Sequence, residues 1–142
     1  MPPGHLATTN TLALVLGCIC QEINSQTKDC EEFGYMLGEK IAEEAVFHQW
    51  ATGKESTPDL IFTLFLKIFP NYFASTPQLN PNSDKQETQV NFQSSPLLTH
   101  CHPDSFLNLT TGFTRAIFHR LLLRTVKIQK DSTTIQLTIA WN

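Results

Sequence analysis

Histidine and cysteine are the side chains best suited to metal or nucleophilic chemistry, and this 142-residue chain carries five and four of them. His100, Cys101 and His102 form a local cluster of metal-type ligands. Neighbouring residues on a strand point to opposite faces, so only His100 and His102 share a side, too few for the four ligands of a structural zinc site. Cys18 and Cys20, on a helix, point about 200° apart. With Cys30 and Cys101 they read as small buried hydrophobes of a reducing compartment rather than as a disulfide framework. Glu31, Glu32, Glu39, Glu43 and Glu44 gather on one stretch. Acid–base work by such carboxylates needs a cleft, and nothing in the sequence marks one, so they read as a solvated face. There is no G-x-S-x-G elbow, no G-x-x-x-x-G-K phosphate loop and no H-E-x-x-H pair. The reading is non-enzymatic, with no metal and no cofactor.

Composition narrows the field further. The chain is 41% hydrophobic and 16% charged, which excludes disorder, and its length suits one domain. A formal charge of −3 gives no surplus for neutralising phosphates, so no nucleic-acid partner is expected. Collagen-like, mucin-like and coiled-coil compositions are absent, and no repeat is visible. The sequon Asn108-Leu109-Thr110 and the apolar stretch Leu12–Cys20 would suit a secreted protein. No Lys or Arg precedes that stretch, however, and it falls far short of the ~20 residues that span a bilayer. A cytoplasmic protein is expected.

The elements that position these residues follow from periodicity. Residues 1–10, with Pro2, Pro3 and Gly4, read as a flexible tail. Thr8, Thr9 or Asn10 caps a helix from Thr11, with Leu12, Val15, Leu16, Ile19 and Ile23 on one stripe. Asp29 and Glu32 approximate a capping box, so a second helix is expected from about Cys30 to Trp50. Gly34, Gly38 and Ala42 recur every four residues along it and open a groove for another backbone. A third helix starts after Ser56 or Thr57, with Pro58 in its first turn, and is expected to end at Pro70. Residues 71–87 are polar and aperiodic, and are expected to form a mobile loop. Strands are expected at Thr88–Gln93 and Leu97–Cys101, then a fourth helix capped by Asp104 or Ser105. A hairpin follows, turning at Lys130-Asp131-Ser132. Together these give an α+β domain over residues 11–142, with about four helices on a twisted antiparallel sheet of about four strands.

Charge is divided along the chain. Acids dominate from Glu22 to Asp59, whereas Arg115, Arg120, Arg124, Lys127 and Lys130 follow one another without an intervening acid. Such polarity can orient a protein on an acidic membrane or between unlike partners.

Two segments resemble a known family. Phe33-Gly34-Tyr35-Met36-Leu37-Gly38-Glu39-Lys40-Ile41-Ala42-Glu43 is similar to the second-helix motif of the Bet-type core subunits of the transport protein particle (TRAPP), a vesicle-tethering complex. Ser95-Pro96-Leu97-Leu98 through Gly112-Phe113-Thr114-Arg115-Ala116 is similar to that family's Pro-Leu strand and Gly-x-x-Arg-Gly helix, with Ala116 in place of the last glycine. The likeness spans about residues 10–142 and implies an α/β plait, a fold shared with vinyl-reductase-type ligand-binding domains.

The resemblance implies a scaffold subunit, cytoplasmic and peripheral on Golgi or endoplasmic reticulum membranes. It would pair with related subunits, or with itself in isolation, and support nucleotide exchange on a Rab-type GTPase through the whole complex. The best-known branch of the family carries an acylated cysteine after the second helix, and residues 51–55 here contain none. Acylation is therefore not expected, although a channel holding a fatty acyl chain or other lipid remains compatible. The rival reading is a small-molecule or lipid-binding module with a pocket near Phe65, Phe69, Phe113 and Ile117. The surplus apolar surface of Leu12, Leu14, Val15 and Ile19 marks the expected partner face. Gly34, Gly38, Gly112 and Arg115 are the expected packing motif. The resemblance implies a partly buried, paired Arg115; the alternative is an exposed member of the basic run.

Overall fold

The structure, a computed structural model, describes residues 27–49, 51, 58–73, 76–93, 98, 102–122 and 125–141. Three helices lie against one face of a four-stranded antiparallel sheet: α1 (Thr27–Phe47), α2 (Asp59–Phe73) and α3 (Pro103–Leu121). The strands are β1 (Gln78–Asn82), β2 (Glu87–Asn91), β3 (Val126–Asp131) and β4 (Gln136–Trp141), in the order β1-β2-β4-β3. The α+β plait expected from the sequence is the fold observed. The helix expected from Thr11 lies outside the described residues, as does the strand expected at 97–101 apart from Leu98, which packs half-buried on the core.

Alternation decides which side of the sheet is covered. The registers Leu79↔Val90, Val90↔Leu137 and Thr88↔Ile139 place these residues on one face. Val90, Leu137 and Ile139 are fully buried there under the helices. The residues between them, among them Asn80, Gln89, Lys127 and Gln129, are polar and exposed. Helix packing on one side and water on the other is the arrangement an alternating antiparallel sheet supports.

Phenylalanine fills the layer between. Phe65 of α2 meets Phe69 at 5.5 Å, Phe113 at 6.3 Å and Phe118 at 5.7 Å between ring centroids. Phe69 continues the chain of rings to Phe92 at 5.1 Å, and Phe92 to Phe106 at 5.5 Å. Most of these contacts are edge-to-face or tilted, the geometry that the ring quadrupole favours.

Several boundaries differ from the sequence-based expectation. The stretch 71–87 is not an irregular loop: it holds the end of α2, the strand β1, a single 3-10 turn (Ser83–Lys85) and the start of β2. Gln78-Leu79-Asn80-Pro81-Asn82 carries one apolar residue for the core, which is all that an edge strand needs, and an edge tolerates proline. α2 does not stop at Pro70 but runs three residues past it. The ring removes a bond to the carbonyl of Leu66, a residue on the 40%-exposed side of the helix where water can replace it. α1 starts at Thr27, ahead of Cys30. The α3 cap is neither Asp104 nor Ser105: His102 Nδ1 accepts from the Asp104 backbone N–H at 3.1 Å, and Pro103 takes the first helical position. The hairpin turn falls at residues 132–135, later than expected, with Asp131 Oδ1 accepting from the N–H groups of Thr133 and Thr134.

Candidate functional site

α1 and α3 form the most extensive helix pair, and glycine sets how closely they approach. A methyl group on Gly34 would overlap the Leu109 carbonyl oxygen and lie 3.1 Å from the Phe113 nitrogen. One on Gly38 would overlap the Phe113 carbonyl oxygen and come within 2.9 Å of the Ala116 Cβ. From the other side, one on Gly112 would overlap the Glu31 carbonyl oxygen and lie 2.8 Å from the Tyr35 nitrogen. The obstructing atoms are mostly backbone, which cannot rotate away as a side-chain tip would. All three glycines thus lie on one seam, where backbone meets backbone. Ala116 fits in place of a glycine because Gly38 stands opposite it.

Along the outer edge of this seam the charges of the two helices meet. Arg115 pairs with Glu31. Arg120 Nη2 reaches Glu39 at 3.0 Å and Glu43 at 3.2 Å. Between them the Tyr35 hydroxyl lies 2.8 Å from His119 Nδ1. A cavity of about 310 Å³ opens beside the first pair, lined by Glu31, Glu32, Tyr35 and Arg115. These acidic and basic groups pair with one another across the seam. The division of charge along the sequence is therefore, in part, complementarity between α1 and α3. His119 and Arg120 as bridging partners were not anticipated; the acidic helix and the basic run were the signal that could have found them.

The structure places two of the expected sets of site residues. Arg115 is paired with a carboxylate, as expected, but on the exposed side of the two readings: its side chain is 46% exposed, and its pair with Glu31 sits at the surface. Lying one residue off the face that carries Gly112 and Ala116, it reaches around the seam instead of entering it. Phe65, Phe69, Phe113 and Ile117 do come together in the core, each at most 1% exposed, with the three rings in mutual contact.

The remaining candidates are scattered. Leu12, Leu14, Val15 and Ile19 lie outside the described residues, as do His100 and Cys101. His102 is exposed and serves as the helix cap. Among the described residues no group of three metal-type ligands occurs, and no helix is long and apolar enough to cross a membrane. Cys30 is buried. Asn108 of the sequon is 5% exposed on α3 and accepts from Lys130 Nζ at 2.7 Å, so no glycan fits there in the folded chain. Ala51, in the stretch where the resemblance places an acylated cysteine, is buried.

No family profile and no curated protein matches the sequence. The structure does have a counterpart: a trafficking protein particle complex subunit 3 from Naegleria fowleri, solved covalently bound to palmitic acid. The match has a TM-score of 0.67 at 14% identity and covers 94% of this chain and 95% of that one. The chain has a TRAPP-type fold. Within this TRAPP-type plait, the glycine motif of residues 33–43 lies on α1 and Gly112–Ala116 on α3, the two sides of a single helix contact.

Proposed function

We propose that the chain is a non-catalytic scaffold subunit of a TRAPP-type vesicle-tethering complex, of the Bet type. The observation that carries this reading is the fold match along nearly the whole of both chains, together with the two motif segments meeting at the glycine seam. Among the described residues, paired surface charges and a filled core give no reaction centre, which suits a protein whose work is to bind other proteins. On this reading it pairs with related subunits through the apolar face of Leu12, Leu14, Val15 and Ile19. It works in the cytoplasm, peripheral on Golgi or endoplasmic reticulum membranes. Any nucleotide exchange on a Rab-type GTPase belongs to the assembled complex.

Sedimentation of the full chain tests the pairing. The wild type is expected to associate, and Leu14→Asp to sediment as a folded monomer. Unchanged association would remove that face from the account.

A second reading, a lipid-binding module, draws on the palmitic acid bound to the structural counterpart. Covalent attachment at the corresponding stretch is not available here, because residues 51–55 contain no cysteine. Native mass spectrometry separates the two readings: oligomer without added mass supports the scaffold, and a retained lipid mass on a monomer supports the binding module.

A further inference from the structure

Where α2 begins above the end of the sheet it leaves a cleft of about 260 Å³, well away from the α1–α3 seam. Phe62 and Trp141 wall it, with ring centroids 5.9 Å apart and planes tilted by 57°, and Leu79 of β1 adds apolar surface. Asp59 in the first turn of α2 and Glu87 at the start of β2 also line it. Neither carboxylate has an ion-pair partner among the described residues. Pro81, Asn82 and Thr88 complete the lining. Thr88 is 3% exposed. A hydroxyl that lines a cleft is positioned to bond to whatever fills it.

The lining selects its occupant. Two carboxylates without an ion-pair partner among the described residues favour positive charge, and aromatic rings such as those of Phe62 and Trp141 attract a cation by their quadrupoles. The apolar wall suits a methylene stem, and Thr88 supplies an acceptor for N–H. The volume lies below the roughly 300–1,000 Å³ of clefts that enclose a whole small molecule, so it suits one side chain. A guanidinium fits better than an ammonium, because it is planar, stacks on aromatic rings and presents several donors to two carboxylates. The cleft opens beside β1, an edge strand of the sheet, which gives an extended partner segment a surface to run along.

We propose that this cleft seats a single arginine side chain presented by a partner polypeptide. The inference is independent of the vesicle-tethering reading. The test is a titration of the isotope-labelled full chain, followed by nuclear magnetic resonance, with the peptide Gly-Gly-Arg-Gly-Gly. Its counterparts carry citrulline or lysine in place of arginine, and propylguanidinium serves as a free cation. The arginine peptide is expected to shift the amides of Glu87 and Thr88 and the indole N–H of Trp141. It should bind about tenfold more tightly than the uncharged citrulline peptide, the factor that corresponds to one modest charge interaction. Glu87→Gln and Asp59→Asn should each remove most of that difference while the rest of the spectrum stays in place. Equal binding of arginine and citrulline peptides, shifts confined to other regions, or no shift at all would overturn the site. Lysine binding as well as arginine would overturn the guanidinium assignment, and propylguanidinium binding as tightly as the peptide would overturn the polypeptide source.

Discussion

Replacing the Gly112 hydrogen by a methyl group sets two effects against each other. On an isolated helix alanine is better than glycine by about 1 kcal/mol. In this protein the methyl would meet the Glu31 carbonyl oxygen of α1, and forcing atoms into packed space costs about 1–3 kcal/mol, more where the obstacle is backbone. The overlap is severe, so steric cost wins and Gly112→Ala is expected to destabilise the protein. Arg115 lies three residues away and should behave in the opposite sense. Its side chain is 46% exposed and its Glu31 partner 27%, and pairs of this kind contribute no more than about 1 kcal/mol. Urea titrations of Gly112→Ala and Arg115→Ala should show a clear fall in midpoint for the first and little movement for the second. The reverse order would mean that the ion pair, not the close approach, holds the two helices.

Between elements, the contact of α1 with α3 combines that close approach with charges of opposite sign. Arg120 bridges Glu39 and Glu43 from one helix to the other, at exposures that leave all three groups partly in water. A double-mutant cycle on Arg120 and Glu39 is expected to give a coupling of about 0.2–1 kcal/mol that shrinks in high salt. Zero coupling at low salt would make the bridge incidental. The glycine spacing of α1 announced this contact in the sequence, because two glycines one turn apart inside a helix are costly unless a neighbour needs the space. The hairpin at the end of the chain was equally legible from the alternation of Ile135, Leu137, Ile139 and Trp141. β1 was not, because an edge strand buries one residue in two and Leu79 alone carries no period. The His102 cap was missed because histidine is not among the usual capping residues. Spacing left the exposure of Arg115 open, because it places a residue on a helix but does not say which flank of the contact its long side chain will take. The cleft of Phe62, Thr88 and Trp141 draws on α2, β2 and β4, and no local pattern joins positions so far apart.

At the scale of the whole molecule, the described residues cover one side of the sheet, pack phenylalanine between the layers and pair charges along the seam. The scaffold reading assigns the outer surface to other polypeptides. Affinity purification of the tagged full chain from its source cell, with identification of everything retained in stoichiometric amount, addresses that reading most directly. The account predicts several co-purifying subunits of the same plait architecture, belonging to a vesicle-tethering complex. Recovery of the chain alone, or with a small molecule and no such subunits, would contradict it.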